Sequence, residues 1–351
     1  MLITKSKELI YFDNATTSFK LLSFIDRLLQ SYSDTSWIKD KEEYLKSLLE
    51  KLASWLRVAL DQIALVPSST YAINEIFERL IESWNQYLLK VYISESEHIS
   101  NLASLWNFRE KNKDLIKIQY YQSNKKVVHS LTNEKGIILI TLRDNLGNRN
   151  WSQEEIETLS QNNPELVIIG DFTQSMLTDD ISEIKDYFDY FYFSAHKIFG
   201  PFGLGCIVSP KIKNLVSKCL LGLDWRSIYV WNQEFENILN LLKNSKTKTQ
   251  ELIDYWVEHF PERLGFSYTH YPNSLIFLVK SNMHSIHDFA YLLEEHRFIF
   301  RFNDLCSSNS LLASKAIIRF SLSPLNNTSE LEKLFELMRY FEKSIKRDLK
   351  Y

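Results

Sequence analysis

The sequence predicts an α/β protein with a large domain on a mainly parallel sheet covered by helices, joined to a smaller C-terminal α/β domain. Three observations predict it. Between Ile63 and Ser209, short apolar runs alternate with stretches of helical periodicity, the pattern of strands joined by crossover helices. Thr70, His98, Asp171 and Lys197 each follow a predicted strand, at the rim where such sheets collect ligands. After Pro261 the texture changes to shorter strands and two helices.

In order, residues 9–17 read as a short strand ending in a polar turn. Leu21, Phe24, Ile25, Leu28 and Leu29 share one helical face, and Tyr44, Leu48, Leu52, Trp55 and Ala59 share another. Ile63–Val66 is a strand closed by Pro67. Ser68-Ser69-Thr70 then opens a helix with Ile73, Phe77, Leu80 and Trp84 on its apolar face. Hydroxyls at a helix start cap free N–H groups, and the same N–H groups attract a phosphate. Strands follow at Leu88–Ile93, Leu115–Tyr120, Gly136–Leu142, Leu166–Ile169, Tyr190–Phe193 and Cys206–Ser209. Ser152-Gln153-Glu154-Glu155 has capping-box spacing and starts a helix. Residues 228–260 read as helical and aromatic-rich. The small unit reads as strand Leu275–Val279, helix Ser285–His296, strand Phe298–Phe302, strand Ala316–Leu322 and a last helix from Ser329 to about Lys346.

Composition narrows the function. A chain of 351 residues suggests two domains, with ample core. Apolar content of 45% and charged content of 24% are ordinary for a soluble globular protein. A net charge of -3 and no basic stripe argue against nucleic acid as a partner. Three cysteines without close spacing (Cys206, Cys219, Cys306) argue against disulfides or a metal site and fit a reducing compartment. No apolar run approaches the roughly 18 residues of a membrane span. Lys5, Lys7 and Glu8 interrupt the first residues, unlike a signal peptide, so the cytoplasm is the expected location.

The chemistry centres on Ser194-Ala195-His196-Lys197, between an aromatic strand and the turn Gly200-Pro201-Phe202-Gly203-Leu204-Gly205. Burial disfavours an ammonium and eases access to the nucleophilic amine, as a Schiff-base lysine requires.

With those residues in view, the sequence resembles the class V aminotransferase, or cysteine desulfurase-like, family of fold-type I enzymes that use pyridoxal 5'-phosphate (PLP). The resemblance runs from about Ile10 to Lys346 and rests on six segments in order. They are Tyr11-Phe12-Asp13-Asn14-Ala15-Thr16-Thr17, Ser68 to Asn74, Glu97-His98-Ile99-Ser100-Asn101, Asp171-Phe172-Thr173-Gln174-Ser175, Ser194 to Gly205, and Ile318-Arg319-Phe320-Ser321-Leu322 with Asn327-Thr328. The resemblance implies a large PLP-binding domain at residues 18–235 and a small domain from residues 1–17 and 236–351. It implies that Lys197 forms the aldimine with PLP and shuttles protons at the substrate Cα. Asp171 would pair with the pyridine nitrogen, Gln174 with the ring hydroxyl, and His98 would lie on the ring face. Ser69, Thr70, Ser194 and His196 would hold the phosphate. Arg319 would take the substrate carboxylate.

Several positions depart from the family pattern. Ser68 and Ala195 replace glycines, and Arg143-Asp144 stands where the family has Ser-Asn, so Asn145 is expected to face the carboxylate. The loop that sends a threonine to the partner subunit's phosphate has no counterpart after Leu221. Cys306, five residues after Arg301, has the placement of the desulfurase nucleophile that carries a persulfide. The implied reaction converts L-cysteine to L-alanine in a homodimer that passes sulfur to an acceptor protein. Two alternatives stand beside it: a PLP-dependent C–S or C–N lyase, epimerase or aminotransferase without the persulfide, and a non-catalytic scaffold relative.

Overall fold

The computed structural model describes residues 9–84, 88–113, 115–211, 222–282, 285–303 and 316–348. After a two-residue strand, β1 (Ile10–Tyr11), seven strands form the main sheet. They are β2 (Ile63–Val66), β3 (Leu89–Ser94), β4 (Ile116–Tyr121), β5 (Gly136–Thr141), β6 (Leu166–Asp171), β7 (Tyr190–Ser194) and β8 (Gly205–Val208). Their order is β2-β8-β7-β6-β5-β3-β4. Strands β3 to β7 run parallel, and β8 is antiparallel to β7 and β2.

Strand β5 shows why the sheet is covered twice. All six of its residues are buried, and successive side chains point to opposite faces. Ile138 and Ile140 join the core beneath α1 (Leu22–Ser33), α2 (Lys41–Leu56) and the first part of a long helix. Ile137 and Leu139 join the core beneath α3 (Ser69–Ser83) and α4 (Ile99–Lys111). A continuous apolar run is the sequence signature of such a strand.

Two expected helix starts take the geometry their residues favour. Ser68 caps α3, its Oγ accepting from Tyr71 N at 3.1 Å. Ser152 Oγ accepts from Glu155 N at 3.1 Å while Glu155 Oε2 accepts from Ser152 N at 2.9 Å, opening the helix Gln153–Asn162.

The small domain pairs β9 (Phe266–His270), β10 (Ile276–Ser281), β12 (Arg301–Phe302) and β13 (Ile318–Ser321) in an antiparallel sheet ordered β12-β13-β10-β9. Strand β1 pairs in parallel with β11 (Phe298–Ile299). Trp256 stacks on Phe277 with centroids 4.0 Å apart, at the centre of a core that includes Ile10, Phe12, Phe320 and Phe335. The junction between domains is a helix, Trp225–His259. Trp231, Phe235 and Leu239 enter the large core, and Leu252 and Trp256 enter the small one.

The short strand read at the start of residues 9–17 is Ile10–Tyr11, and the polar turn that ends it begins at Asp13, whose carbonyl accepts from Thr16 N and Thr17 N. Other expectations need correction. The run Phe298–Phe302 divides into two strands belonging to different sheets. Strand β9 and the short helix Asn124–Ser130 were not expected. Among the described residues no helix is long and apolar enough to cross a membrane.

Candidate active site

The site lies at the carboxyl ends of β3, β6 and β7. Asp171 is the last residue of β6 and is buried. Its Oδ2 accepts from Asn101 Nδ2 at 2.8 Å and its Oδ1 from Thr173 N at 2.9 Å. Neutral donors thus hold a carboxylate at a strand end without cancelling its charge.

His98 occupies the corner between β3 and α4 and caps α4, its Nδ1 accepting from Ser100 N at 3.2 Å and lying 2.6 Å from Ser100 Oγ. Burial lowers its pKa below the ordinary histidine value. Asp171 opposes that shift, and the charges of Lys197 and Arg319 add to it. The imidazole is therefore neutral near pH 7, and three other expected site residues, Asp171, Lys197 and Arg319, lie within electrostatic reach of it.

Lys197 ends a short 3-10 turn, Ala195–Lys197, directly after β7. Its Nζ donates to Ala15 O, and to Thr16 O at 2.6 Å. Gln174 Nε2 also donates to Ala15 O, at 2.8 Å. The amine and the amide therefore converge on one carbonyl, in a pocket also lined by Arg143, Thr173 and Ser321. The Thr173 hydroxyl is buried there without a hydrogen-bond partner among the described residues.

The expected phosphate residues gather on the other side. Ser194 Oγ accepts from Ser69 N at 3.1 Å and lies 2.9 Å from Ser69 Oγ, at the start of α3. Thr70 is exposed on the same turn. His196 Nδ1 lies 3.2 Å from Thr17 Oγ1, and the ring stacks on Phe202. Burial, then the charges of Lys197 and Lys20, hold the His196 pKa down at about 3. Lys20 Nζ donates to His196 O at 3.3 Å and sits 5.2 Å from the centroid of the Phe202 ring. Burial and the charge of Lys197 lower the Lys20 pKa to about 7, so the site has a second, easily neutralised amine.

The replaced glycines fit without strain. Ser68 has φ -166, extended backbone open to any residue, and its hydroxyl takes over the cap. Ala195 is buried in the 3-10 turn. Gly205 is required for space: a Cβ there would meet Phe193 O at 2.7 Å and the Ser68 carbonyl carbon at 3.3 Å.

Arg319, on β13, reaches into the same region. Its Nη2 donates to Asp13 Oδ1 and to Thr16 Oγ1, both at 2.9 Å, and its Nη1 donates to Asn145 O at 3.0 Å. Arg301, its cross-strand neighbour, donates to Asp13 Oδ2 at 3.2 Å and Thr16 Oγ1 at 2.8 Å. Two guanidiniums therefore share one carboxylate. Asn145 meets Arg319 through its carbonyl. The Asp144 carboxylate turns back onto its own loop, accepting from Leu146 N at 2.9 Å and Asn148 N at 3.0 Å.

Cys306 lies outside the described residues. Sequence reasoning singled out neither Glu97 nor Asn101 for a role, although both lie in the same segment as His98, Glu97 just before the start of α4 and Asn101 in its first turn. The donor set suits PLP: a buried carboxylate for a pyridinium, a flat neutral imidazole, an amide and an amine on one rim, and hydroxyls at a helix start. The Thr173 hydroxyl, buried without a hydrogen-bond partner among the described residues, is a further polar atom on the lining of the Lys197 pocket.

Comparison with known proteins agrees with this geometry. The family model for aminotransferase class-V matches residues 10–236. A cysteine desulfurase of Wigglesworthia glossinidia brevipalpis is 27% identical over 224 residues, covering 58% of this chain and 53% of that protein. The cysteine desulfurase SufS of Plasmodium falciparum is 23% identical over 316 residues, covering 82% and 55%. The chain spans about half the length of the curated relatives it matches. The apo structure of a cysteine desulfurase from Thermococcus onnurineus NA1 superposes with TM-score 0.81 at 14% identity, over 96% of this chain and 95% of that one, so the two share a fold. On a match across most of the chain, and on a rim bearing the donors PLP needs, the chain belongs to the aminotransferase class-V family, which is PLP-dependent.

Proposed function

We propose that the protein is a cysteine desulfurase that binds PLP at Lys197 and takes sulfur from L-cysteine, leaving L-alanine. One observation carries this reading: Asp171, His98 and Lys197, from three separate strand ends, converge on one rim. Bound PLP supplies an electron sink for charge released at the substrate Cα. Asp171 would hold the proton on the pyridine nitrogen, since an anion there favours the charged ring. Neutral His98 would shield the ring from water. Gln174 orients the ring hydroxyl, and Ser69, Ser194 and His196, with the exposed Thr70, hold the phosphate. Lys197 removes and returns the proton at Cα. Arg319, with the Asn145 loop packed on it, receives the substrate carboxylate as a planar donor. Cys306 as a thiolate would attack the substrate sulfur, forming an S–S bond as the Cβ–S bond breaks; the electron pair stays on carbon, which takes up a proton to give L-alanine, and the sulfur is kept as a persulfide for an acceptor protein. The cysteine usage favours the cytoplasm, and the family resemblance favours a homodimer.

Purified protein is expected to show a visible band that borohydride abolishes and that Lys197→Ala lacks. Cysteine is expected to yield alanine plus protein-bound sulfur that Cys306→Ser eliminates. Colourless protein that takes up no PLP defeats the reading. Asn303-Asp304-Leu305, which departs from the family pattern before the cysteine, favours a second reading: the same site acting as a lyase, epimerase or aminotransferase. Amino-acid turnover unchanged in Cys306→Ser would decide for it.

A further inference from the structure

We propose that Glu97 is a positioning residue of this site: through Asn101 it orients the Asp171 carboxylate, and through the His98 main chain it sets the imidazole. The proposal rests on the PLP reading above. Glu97 is 2% exposed and Asn101 1%. The Asn101 amide is a hub, its Nδ2 donating to Asp171 Oδ2 at 2.8 Å and to Glu97 Oε1 at 3.2 Å, while its Oδ1 accepts from Tyr192 OH at 2.8 Å. Both carboxylates therefore draw on one NH₂ group, and Tyr192 leaves the amide a single sensible orientation.

Glu97 Oε1 accepts two more hydrogen bonds, from His98 N at 2.8 Å and from Thr141 Oγ1 at 2.5 Å. Thr141 on β5 and Tyr192 on β7 are the register partners of Asp171 on β6. The network thus encloses Asp171 from both neighbouring strands and from the corner that carries His98. Helix capping does not account for Glu97, because His98 already caps α4.

The network is also electrically loaded. Burial pushes the Glu97 pKa up to about 7; the hydrogen bond from Thr141 opposes the rise and the charge of Asp171 adds to it. The titratable groups around it are Asp171, Tyr121 on β4, Tyr192 and His98. Asp144 lines the same polar cavity of about 270 Å³, together with Ser96, Gln122 and Asn148. That volume has room for water beside the carboxyl group.

The test uses the full chain loaded with PLP, reading the cofactor's dissociation constant and its visible band. Glu97→Leu and Asn101→Leu are each expected to weaken PLP about tenfold or more, and the double variant to be no worse than about threefold beyond either, as for residues acting in one chain of contacts. Glu97→Gln keeps an acceptor oxygen but loses the charge. It is expected to bind PLP within about threefold of wild type and to restore the wild-type band, because the acceptor oxygen is what holds Asn101, Thr141 and the His98 main chain. Additive losses, or a Glu97→Gln variant that binds PLP as weakly as Glu97→Leu, overturn the proposal. If Glu97→Leu does not fold, Asn101→Leu decides: PLP bound as tightly as by wild type overturns the proposal. A wild type without a visible band defeats the PLP reading itself and the proposal with it, a result distinct from a coloured wild type whose variants match it.

Discussion

Asp179→Asn tests what holds the loop that carries Asn145. The Arg143 and Asp179 side chains are each 3% exposed. Arg143 Nε donates to Asp179 Oδ2 at 2.8 Å and Nη2 to Oδ1 at 2.9 Å, a fork-to-fork pair. The remaining arm, Nη1, donates to Gly147 O at 2.6 Å, so one guanidinium clamps the turn from Asp144 to Gly147. Removing the carboxylate charge leaves a cation in a site water does not reach, which costs about 3–5 kcal/mol. Asparagine still accepts one hydrogen bond, so the lower end of that range, about 3 kcal/mol, is expected. Arg149 also loses its contact with Asp179, but at 37% exposure it is solvated and adds less than about 1 kcal/mol. Urea denaturation followed by tryptophan fluorescence reads the loss as a lower midpoint at unchanged slope. The pair Arg143→Met with Asp179→Leu removes both charges and is expected to recover most of the stability. A single variant within about 1 kcal/mol of wild type, or a double variant as unstable as the single, would refute this account of the loop.

Three further outcomes are expected. Because the native His196 pKa is about 3 against an ordinary 6.5, the unfolded chain binds the extra proton first; stability should fall as pH drops from about 6.5 toward 3, and His196→Gln should flatten that limb in acid denaturation curves. Gly205→Ala forces β8 away from Phe193 O and Ser68; a loss of about 1–3 kcal/mol with weaker PLP binding is expected, measured by urea melts and cofactor titration. Asp171→Asn removes a charged partner worth about 1.5–3 kcal/mol, so PLP affinity should fall roughly 10- to 100-fold with the fold intact by circular dichroism.

Much of this was legible because it is local. Gly136 to Thr141 reads as a buried strand from its own composition, and Ser152 with Glu155 announces a helix start across three residues. Asp171, His98 and Lys197 could be placed on one rim because parallel strands end together. What escaped notice depends on distant partners. Strand β9, Phe-Ser-Tyr-Thr-His, has no apolar run and is formed by pairing with β10. Asp144 stands where the family pattern has an amide, and two backbone N–H groups of its own loop capture its carboxylate. Asp13 and Arg319 are 306 positions apart, and no local pattern ties one to the other. Asn101 stands within a local motif, but its hold on Asp171 exists only once β6 lies beside the start of α4.

Strand β1 has a consequence for how the molecule is made. Its partner β11 begins at Phe298, and Asp13 bridges to Ser321, so the first described residues wait for almost the last. On a ribosome, where chains emerge from one end at about 5–20 residues per second, the large-domain sheet can close many seconds before Arg319 appears. Until then Ala15 lacks Ser321 and Thr16 lacks Arg319, and the carbonyls that hold Lys197 are kept near the large domain by Gln174 on Ala15 O and by neighbours such as Ser18 on His196 O. The surroundings of Lys197 are thus finished late, by a closure of high sequence separation.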